Sequence, residues 1–287
     1  MRICTEDLTH IYMPDSPFAV SAIEGITVNI EAGSFAAVIG PSGSGKSTLI
    51  QHLNGLLKPT AGRVVIDGQV VGENKVELIA LRRRIGLVFQ MPEQQFFAES
   101  VFDEVAFAPR NLGFKPKQVD ELVYQALDLV SLDWKTFARR SPFQLSSGQK
   151  RLAAIAAILV QQPEALILDE PAAGLDPEGR RNLYLLLSRL NQEKGLTIVV
   201  VTHRLDDLCA LADHYLLLSG GRLVMHGPPE ELFSQDQKLR RLGLDLPPVT
   251  RFMHLLAEKG APVKRTVYTM EQACREINCW LKKETGS

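Results

Sequence analysis

Eight residues constrain this chain more than any others: Gly40-Pro41-Ser42-Gly43-Ser44-Gly45-Lys46-Ser47 fills every fixed position of the pattern G-x-x-x-x-G-K-[ST]. The pattern needs one context, a buried strand before it and a helix after it. Its glycines let backbone N–H groups turn inward toward phosphate oxygens, and the helix adds its positive N-terminal end. That context is legible. Phe35-Ala36-Ala37-Val38-Ile39 is an unbroken apolar run behind the turn Gly33-Ser34, and a helix is predicted to begin just after Gly45. In such a loop Lys46 reaches the β- and γ-phosphates and the Ser47 hydroxyl ligates Mg²⁺. Small-molecule and nucleotide kinases use the same cradle, so it fixes the fold and leaves the reaction open.

The remaining pattern agrees with an α/β chain built on a parallel sheet. The first ~85 residues are strand-rich, with Asp67-Gly68 as a further turn. From Met91 to about Ser141 the apolar spacing becomes helical, as in Val119-Asp120-Glu121-Leu122-Val123-Tyr124-Gln125-Ala126-Leu127, and this stretch reads as an inserted helical subdomain, residues 91–141. Alternation resumes with the strand Ala165–Leu168, a helix around Arg180–Leu190 and the strand Thr197–Val201, which favours parallel strands with helices on both faces. Helix follows Gly227-Pro228-Pro229 up to about Gly243, and Pro247-Pro248 punctuates the chain after it. The expected division is a main domain over 1–240 and a small C-terminal appendage over 241–287, a candidate dimerisation region.

Composition removes several classes of function. Thirty-two basic residues against thirty-three acidic give a net charge of −1, which supplies no field for nucleic acid or lipid headgroups, so no nucleic-acid partner is expected. The longest apolar run, Leu152–Val160, has nine residues, against about 20 for a spanning helix. Met1-Arg2-Ile3-Cys4-Thr5-Glu6-Asp7 carries acids early and no apolar secretory stretch, so the cytosol is the expected compartment. Cys4, Cys209, Cys274 and Cys279 lack metal-type pairing and are expected to be reduced thiols.

Two further motifs choose the reaction. Ala165-Leu166-Ile167-Leu168-Asp169-Glu170 is a buried strand ending in two carboxylates at the sheet edge where nucleotides bind. Asp169 suits the Mg²⁺ shell, through water, and Glu170 suits orientation and partial deprotonation of an attacking water. Leu145-Ser146-Ser147-Gly148-Gln149 precedes the apolar run from Leu152. Here the chain resembles ATP-binding-cassette proteins, one step from their L-S-G-G-Q signature, with Ser147 at the first glycine position.

The resemblance covers about residues 1–235 and implies an ATPase with the fold of a cassette nucleotide-binding domain. It implies that Ser146, Ser147, Gly148 and Gln149 cap the γ-phosphate held by the opposite subunit of a dimer. By the same likeness Gln90 contacts Mg²⁺ or the water, Asp176 in Gly174-Leu175-Asp176 communicates across the dimer, and His203 hydrogen-bonds the γ-phosphate. Tyr12 matches the aromatic that stacks on adenine, with Phe18 as the competitor, and the nucleotide set continues through Gly40 to Ser47 and Thr48. One phosphate loop and no sustained heptad run between Gln90 and Leu145 weaken the DNA-repair and translation branches. A kinase is the alternative from another class.

Gln90-Met91-Pro92-Glu93-Gln94-Gln95-Phe96-Phe97, Ser141-Pro142-Phe143-Gln144-Leu145, Leu175-Asp176-Pro177-Glu178-Gly179-Arg180 and Gly243-Leu244-Asp245-Leu246-Pro247-Pro248-Val249-Thr250 resemble the ATPase subunits of energy-coupling factor transporters. That likeness implies import of vitamins or transition-metal ions, at the cytoplasmic face of the membrane. The implied partners are a second cassette ATPase (a sister chain or a second copy), a transmembrane coupling subunit and a membrane substrate-binding subunit. Gln94, Gln95, Phe96 and Phe97 are expected to line the groove for a partner helix. Serine at 147 adds a Cβ and a hydroxyl where glycine allows close approach, so any altered site is the partner's.

Overall fold

The apolar runs do become strands, and their alternation builds a core on each face of one sheet. A computed structural model describes residues 1–72 and 75–285. The chain runs β1 (Ile3–Tyr12), β2 (Val20–Ile30), β3 (Phe35–Ile39), α1 (Lys46–Leu53), β4 (Ala61–Ile66), β5 (Gln69–Val70), α2 (Lys75–Arg84) and β6 (Ile85–Val88). Helices α3 (Val101–Asn111), α4 (Pro116–Leu129), α5 (Trp134–Phe137) and α6 (Ser147–Leu159) follow, then β7 (Ala165–Asp169), α7 (Pro177–Lys194), β8 (Thr197–Val201), β9 (His214–Ser219) and β10 (Arg222–Gly227). The C-terminal part holds α8 (Pro229–Phe233), α9 (Asp236–Arg241), α10 (Pro248–Glu258) and α11 (Met270–Thr285).

Among the described residues two sheets form. One is antiparallel, in the order β2-β1-β4-β5; the other runs β10-β9-β3-β8-β7-β6, parallel from β9 to β6 with β10 antiparallel at its edge. Successive side chains of a strand point to opposite faces. Ala36, Val38, Ile167, Val199 and Val201 therefore pack with Leu49, Ile50 and Leu53 of α1 and with the antiparallel sheet. Phe35, Ala37, Ile39, Leu166, Leu168, Ile198 and Val200 pack with α3, α4, α6 and α7. A strand buried on both faces reads as an unbroken apolar run, which is what β3, β7 and β8 show.

The helical stretch expected over 91–141 contains a 3₁₀ turn at Pro92–Gln95 and then α3, α4 and α5. Helix α4 buries Val119, Val123, Ala126 and Leu127, one stripe at the predicted spacing. Helix α6 starts at Ser147, five residues before the apolar run at Leu152 that marked it in the sequence. The reason is a capping box: Ser146 Oγ accepts from the Gln149 amide at 3.3 Å, and Gln149 Oε1 accepts from the Ser146 amide at 3.1 Å. Within the segment read as an appendage, Leu244, Leu246 and Tyr268 join the main core. Met253, Val263, Val267 and Ala273 form a small cluster between α10 and α11. Residues 286 and 287 of that segment lie outside the described residues.

Gly86 lets α6 approach β6, since a Cβ there would stand 2.4 Å from Ile158 Cγ2 and 3.1 Å from Leu166 Cδ1. Gly86→Ala is expected to destabilise the protein by about 1–3 kcal/mol through overpacking. Urea denaturation measures it, and an unchanged midpoint would show that α6 moves away freely.

Candidate active site

The cradle forms where β3 gives way to α1, and two glycines there admit no other residue. Gly40 has φ +149°, and a Cβ would stand 2.1 Å from the Leu218 carbonyl oxygen; Gly45 has φ +96°, and a Cβ would stand 2.6 Å from the Ala22 carbonyl oxygen. Lys46 follows at the first position of α1, and its Nζ donates to the carbonyls of Gly40 at 2.9 Å and Pro41 at 2.8 Å. Burial holds the Lys46 ammonium below its ordinary pKa, and the charges of Glu170 and Asp169 pull it back up. Ser44 Oγ is buried without a partner inside this loop, a spare donor in a concavity of backbone amides.

Asp169 ends β7. Burial pushes its carboxyl above the usual range, a hydrogen bond from Ser47 opposes the shift, the charge of Glu170 adds to it and Lys46 opposes it. Glu170 adopts φ +44°, a left-handed conformation that costs a non-glycine residue about 1–3 kcal/mol. The Glu170 amide still donates to the Val201 carbonyl at 3.0 Å, so the turn begins with the chain tied to β8. Glu170 Oε2 accepts from Gln90 Nε2 at 3.3 Å. Glu170 Oε1 lies 3.1 Å from His203 Nδ1, and since an ionised carboxylate only accepts, that nitrogen carries the proton. Gln90, Glu170 and His203 follow the ends of β6, β7 and β8, which are neighbours in the sheet, and they form one hydrogen-bonded chain.

These groups face a cleft of about 900 Å³ whose walls are Tyr12, Val20–Ala22, Gly40–Thr48, Gln90, Asp169, Glu170, His203 and Leu242–Leu244. Tyr12 borders it with its hydroxyl 3.2 Å from Thr48 Oγ1. Phe18 is 74% exposed and is not among the walls. The signature residues Ser146–Gln149 and Asp176 lie off the cleft of their own chain, at exposed helix starts, where Asp176 Oδ1 caps α7 by accepting from the Gly179 amide at 2.7 Å. The pair Phe96-Phe97 is divided: Phe96 belongs to the core, and Phe97 is exposed and meets Phe107 edge-on.

The oxygen donors that converge here, the Ser47 hydroxyl, the Asp169 carboxylate and the Gln90 amide, fit Mg²⁺, which takes one or two carboxylates together with substrate phosphates. Among the described residues no group of three or more His, Cys, Asp or Glu could hold a metal.

The ABC transporter family profile matches residues 23–173. The chain is 44% identical over 287 residues to the energy-coupling factor transporter ATP-binding protein EcfA2 of Symbiobacterium thermophilum, covering 100% of this chain and 99% of that one. It is 42% identical over 273 residues to the protein of the same name from Clostridium perfringens, covering 95% and 96%. The chain belongs to the ABC transporter family. Its structure is similar to that of cbiO1 from Clostridium perfringens, part of the ABC transporter complex cbiONQ, with a TM-score of 0.76, 34% identity, and 89% and 98% of the two chains covered. A dimeric ATP-binding cassette in a post-hydrolysis state with ADP and Pi matches at a TM-score of 0.70 and 28% identity, covering 79% and 98%. ABC cassettes are ATPases, and this chain is an ATPase of that type with the cassette fold.

One residue of the site region carried no sequence signal. Arg151 is 1% exposed in α6, and its guanidinium donates to the carbonyls of Pro171 at 2.7 Å and Ala173 at 3.1 Å. It also pairs with Glu93, Nε to Oε2 at 3.2 Å. The signature helix, the turn after Gln90 and the loop after Glu170 thus share one buried cation. Arg151→Met is expected to cost about 1–3 kcal/mol, because the Pro171 and Ala173 carbonyls lose their donor and the part-exposed Glu93 carboxylate loses its partner. In a double-mutant cycle Arg151→Met with Glu93→Met should cost less than the two single changes added; simple additivity would contradict the coupling.

Proposed function

We propose that this chain is the ATP-hydrolysing motor subunit of an energy-coupling factor type importer for vitamins or transition-metal ions. The observation that carries the hydrolytic part is the hydrogen-bonded chain Gln90–Glu170–His203 beside Lys46 and Asp169. Lys46, Ser44 and the amides of the cradle bind the β- and γ-phosphates, and Tyr12 stacks on the base. Ser47 and Asp169, the latter through water, with Gln90 would hold Mg²⁺, which supplies positive charge against the phosphates. Glu170 orients the attacking water and takes its proton. His203 holds Glu170 through Nδ1 and contacts the γ-phosphate. A kinase could use such a carboxylate on an acceptor hydroxyl, so the choice of water rests on the family, whose cassettes are ATPases.

The importer reading is supported by relatives named as energy-coupling factor transporter ATP-binding proteins that align over nearly the whole chain. The partners in this reading are a second cassette ATPase, a transmembrane coupling subunit and a membrane substrate-binding subunit. No helix among the described residues is long and apolar enough to cross a membrane, so a peripheral place on the cytoplasmic face fits. Residues 1–240 would form the ATPase domain, 91–141 the segment that passes motion to the membrane partner, and 241–287 a dimer contact. Ser146–Gln149 and Asp176 would act in trans, at the partner's nucleotide, which suits their position at exposed helix starts away from their own cleft. Ser147 would then tune the partner's site.

Glu170→Gln should bind ATP as the wild type does, release phosphate about 10²–10⁴-fold more slowly, and accumulate as an ATP-bound dimer. Phosphate release and sedimentation velocity measure this, and unchanged turnover would place the base elsewhere.

A further inference from the structure

Two buried histidines press on a wall of the cleft and take no part in the hydrolysis described above. His10 is 8% exposed and His52 is fully buried. The His10 ring meets Tyr12 edge-on, with centroids 4.5 Å apart and planes at 80°, and meets His52 with centroids 4.7 Å apart at 68°. His52 Nδ1 lies 2.8 Å from the Thr48 carbonyl oxygen, an acceptor only, so Nδ1 carries a proton. In the neutral ring Nε2 is then a lone pair, and it faces His10 Nδ1 at 3.2 Å. His10 Nδ1 is also 3.2 Å from the Lys58 carbonyl, so one N–H serves both acceptors. The Tyr12 hydroxyl returns to Thr48 Oγ1 at 3.2 Å. The contacts therefore close a ring that begins and ends on Thr48, in the helix that follows the cradle.

A local irregularity in β1 makes this closure reachable. Ile3 and Thr5 face inward, Asp7 takes φ +47° at a register shift, and the inward set becomes Leu8 and His10, with Tyr12 in the same phase. Without that shift His10 and Tyr12 would fall on the other face of the strand.

We propose that His10 and His52 are positioning residues for the nucleotide base: their hydrogen-bonded pair fixes the Tyr12 ring against α1 and so sets the span between base platform and phosphate cradle. This rests on the reading of Tyr12 as the platform for the base. The pair holds one proton between two nitrogens, and a second proton would set two N–H donors against each other and bury a charge. Burial lowers the His52 pKa from 6.5; the Thr48 carbonyl opposes this, the His10 ring adds to it and the Lys58 carbonyl opposes it. The titratable groups bearing on His52 are His10 and, beyond it, Tyr12, both on β1; α1 and the loop after it contribute the carbonyls. Because the folded value is lowered, His52 remains neutral at pH 6.5, and the pair is lost only as the pH falls further, through that lowered value.

Calorimetric titration of the full chain with ATP and with inorganic tripolyphosphate tests this, using the wild type, His10→Ala, His52→Leu and Tyr12→Ala. Tripolyphosphate lacks the base and fills only the cradle. His10→Ala and His52→Leu should each weaken ATP about tenfold, the size of a lost base–aromatic stack, and change tripolyphosphate less than twofold. His10→Ala added to Tyr12→Ala should weaken ATP no further. In the wild type the preference for ATP over tripolyphosphate should hold at pH 6.5 and decline only as the pH falls further, and in His52→Leu that decline should be absent. If the histidine variants keep wild-type ATP affinity while Tyr12→Ala loses it, the positioning role is overturned and the platform stands. Equal losses for both ligands would make the histidines supports of the fold, which also overturns it. Unchanged ATP affinity in Tyr12→Ala would remove the platform itself.

Discussion

At the carboxyl edge of the parallel sheet one ammonium and two carboxylates, those of Lys46, Asp169 and Glu170, share a partly buried space, and the two carboxylates raise the Lys46 pKa against its burial while Lys46 opposes the upward shift of Asp169. Such a group of charges is costly away from water unless its members compensate one another at fixed positions. Rigidity comes from below: β3, β7 and β8 are buried on both faces, so their ends cannot drift apart without opening two cores at once. The glycines of the cradle and the left-handed turn at Glu170 are the local costs of bringing backbone and carboxylate to that edge.

From that edge two routes lead outward. One passes through Glu170 to Gln90 and His203, and through the buried Arg151 to the signature helix, so the hydrogen-bonded residues of the cleft and the start of α6 are mechanically joined. The other passes down α1 to Thr48 and into the histidine pair that braces Tyr12. In the proposed reading, phosphate and base recognition diverge from this single short helix.

Strands and cradle were legible because each is written locally: an unbroken apolar run means a strand covered on both faces, and the cradle has fixed glycines at fixed spacing. The start of α6 lies ahead of the apolar run at Leu152, where the Ser146–Gln149 capping box, legible as S-x-x-Q, sets it. Phe96 and Phe97 look alike as letters, and only the packing of the helices around them separates a core residue from an exposed one. Arg151, Leu242–Leu244 and the partnership of His10 with His52 depend on contacts between segments distant in sequence, for which one sequence holds no periodic or spacing signal.

The central claim, a cassette motor that works on a membrane partner, is tested most directly by isolating the tagged chain from gently solubilised native membranes and identifying what accompanies it by mass spectrometry. The account predicts a second cassette ATPase and polytopic membrane proteins in near-stoichiometric amounts. The chain alone, or in company with DNA or ribosomes, would contradict it.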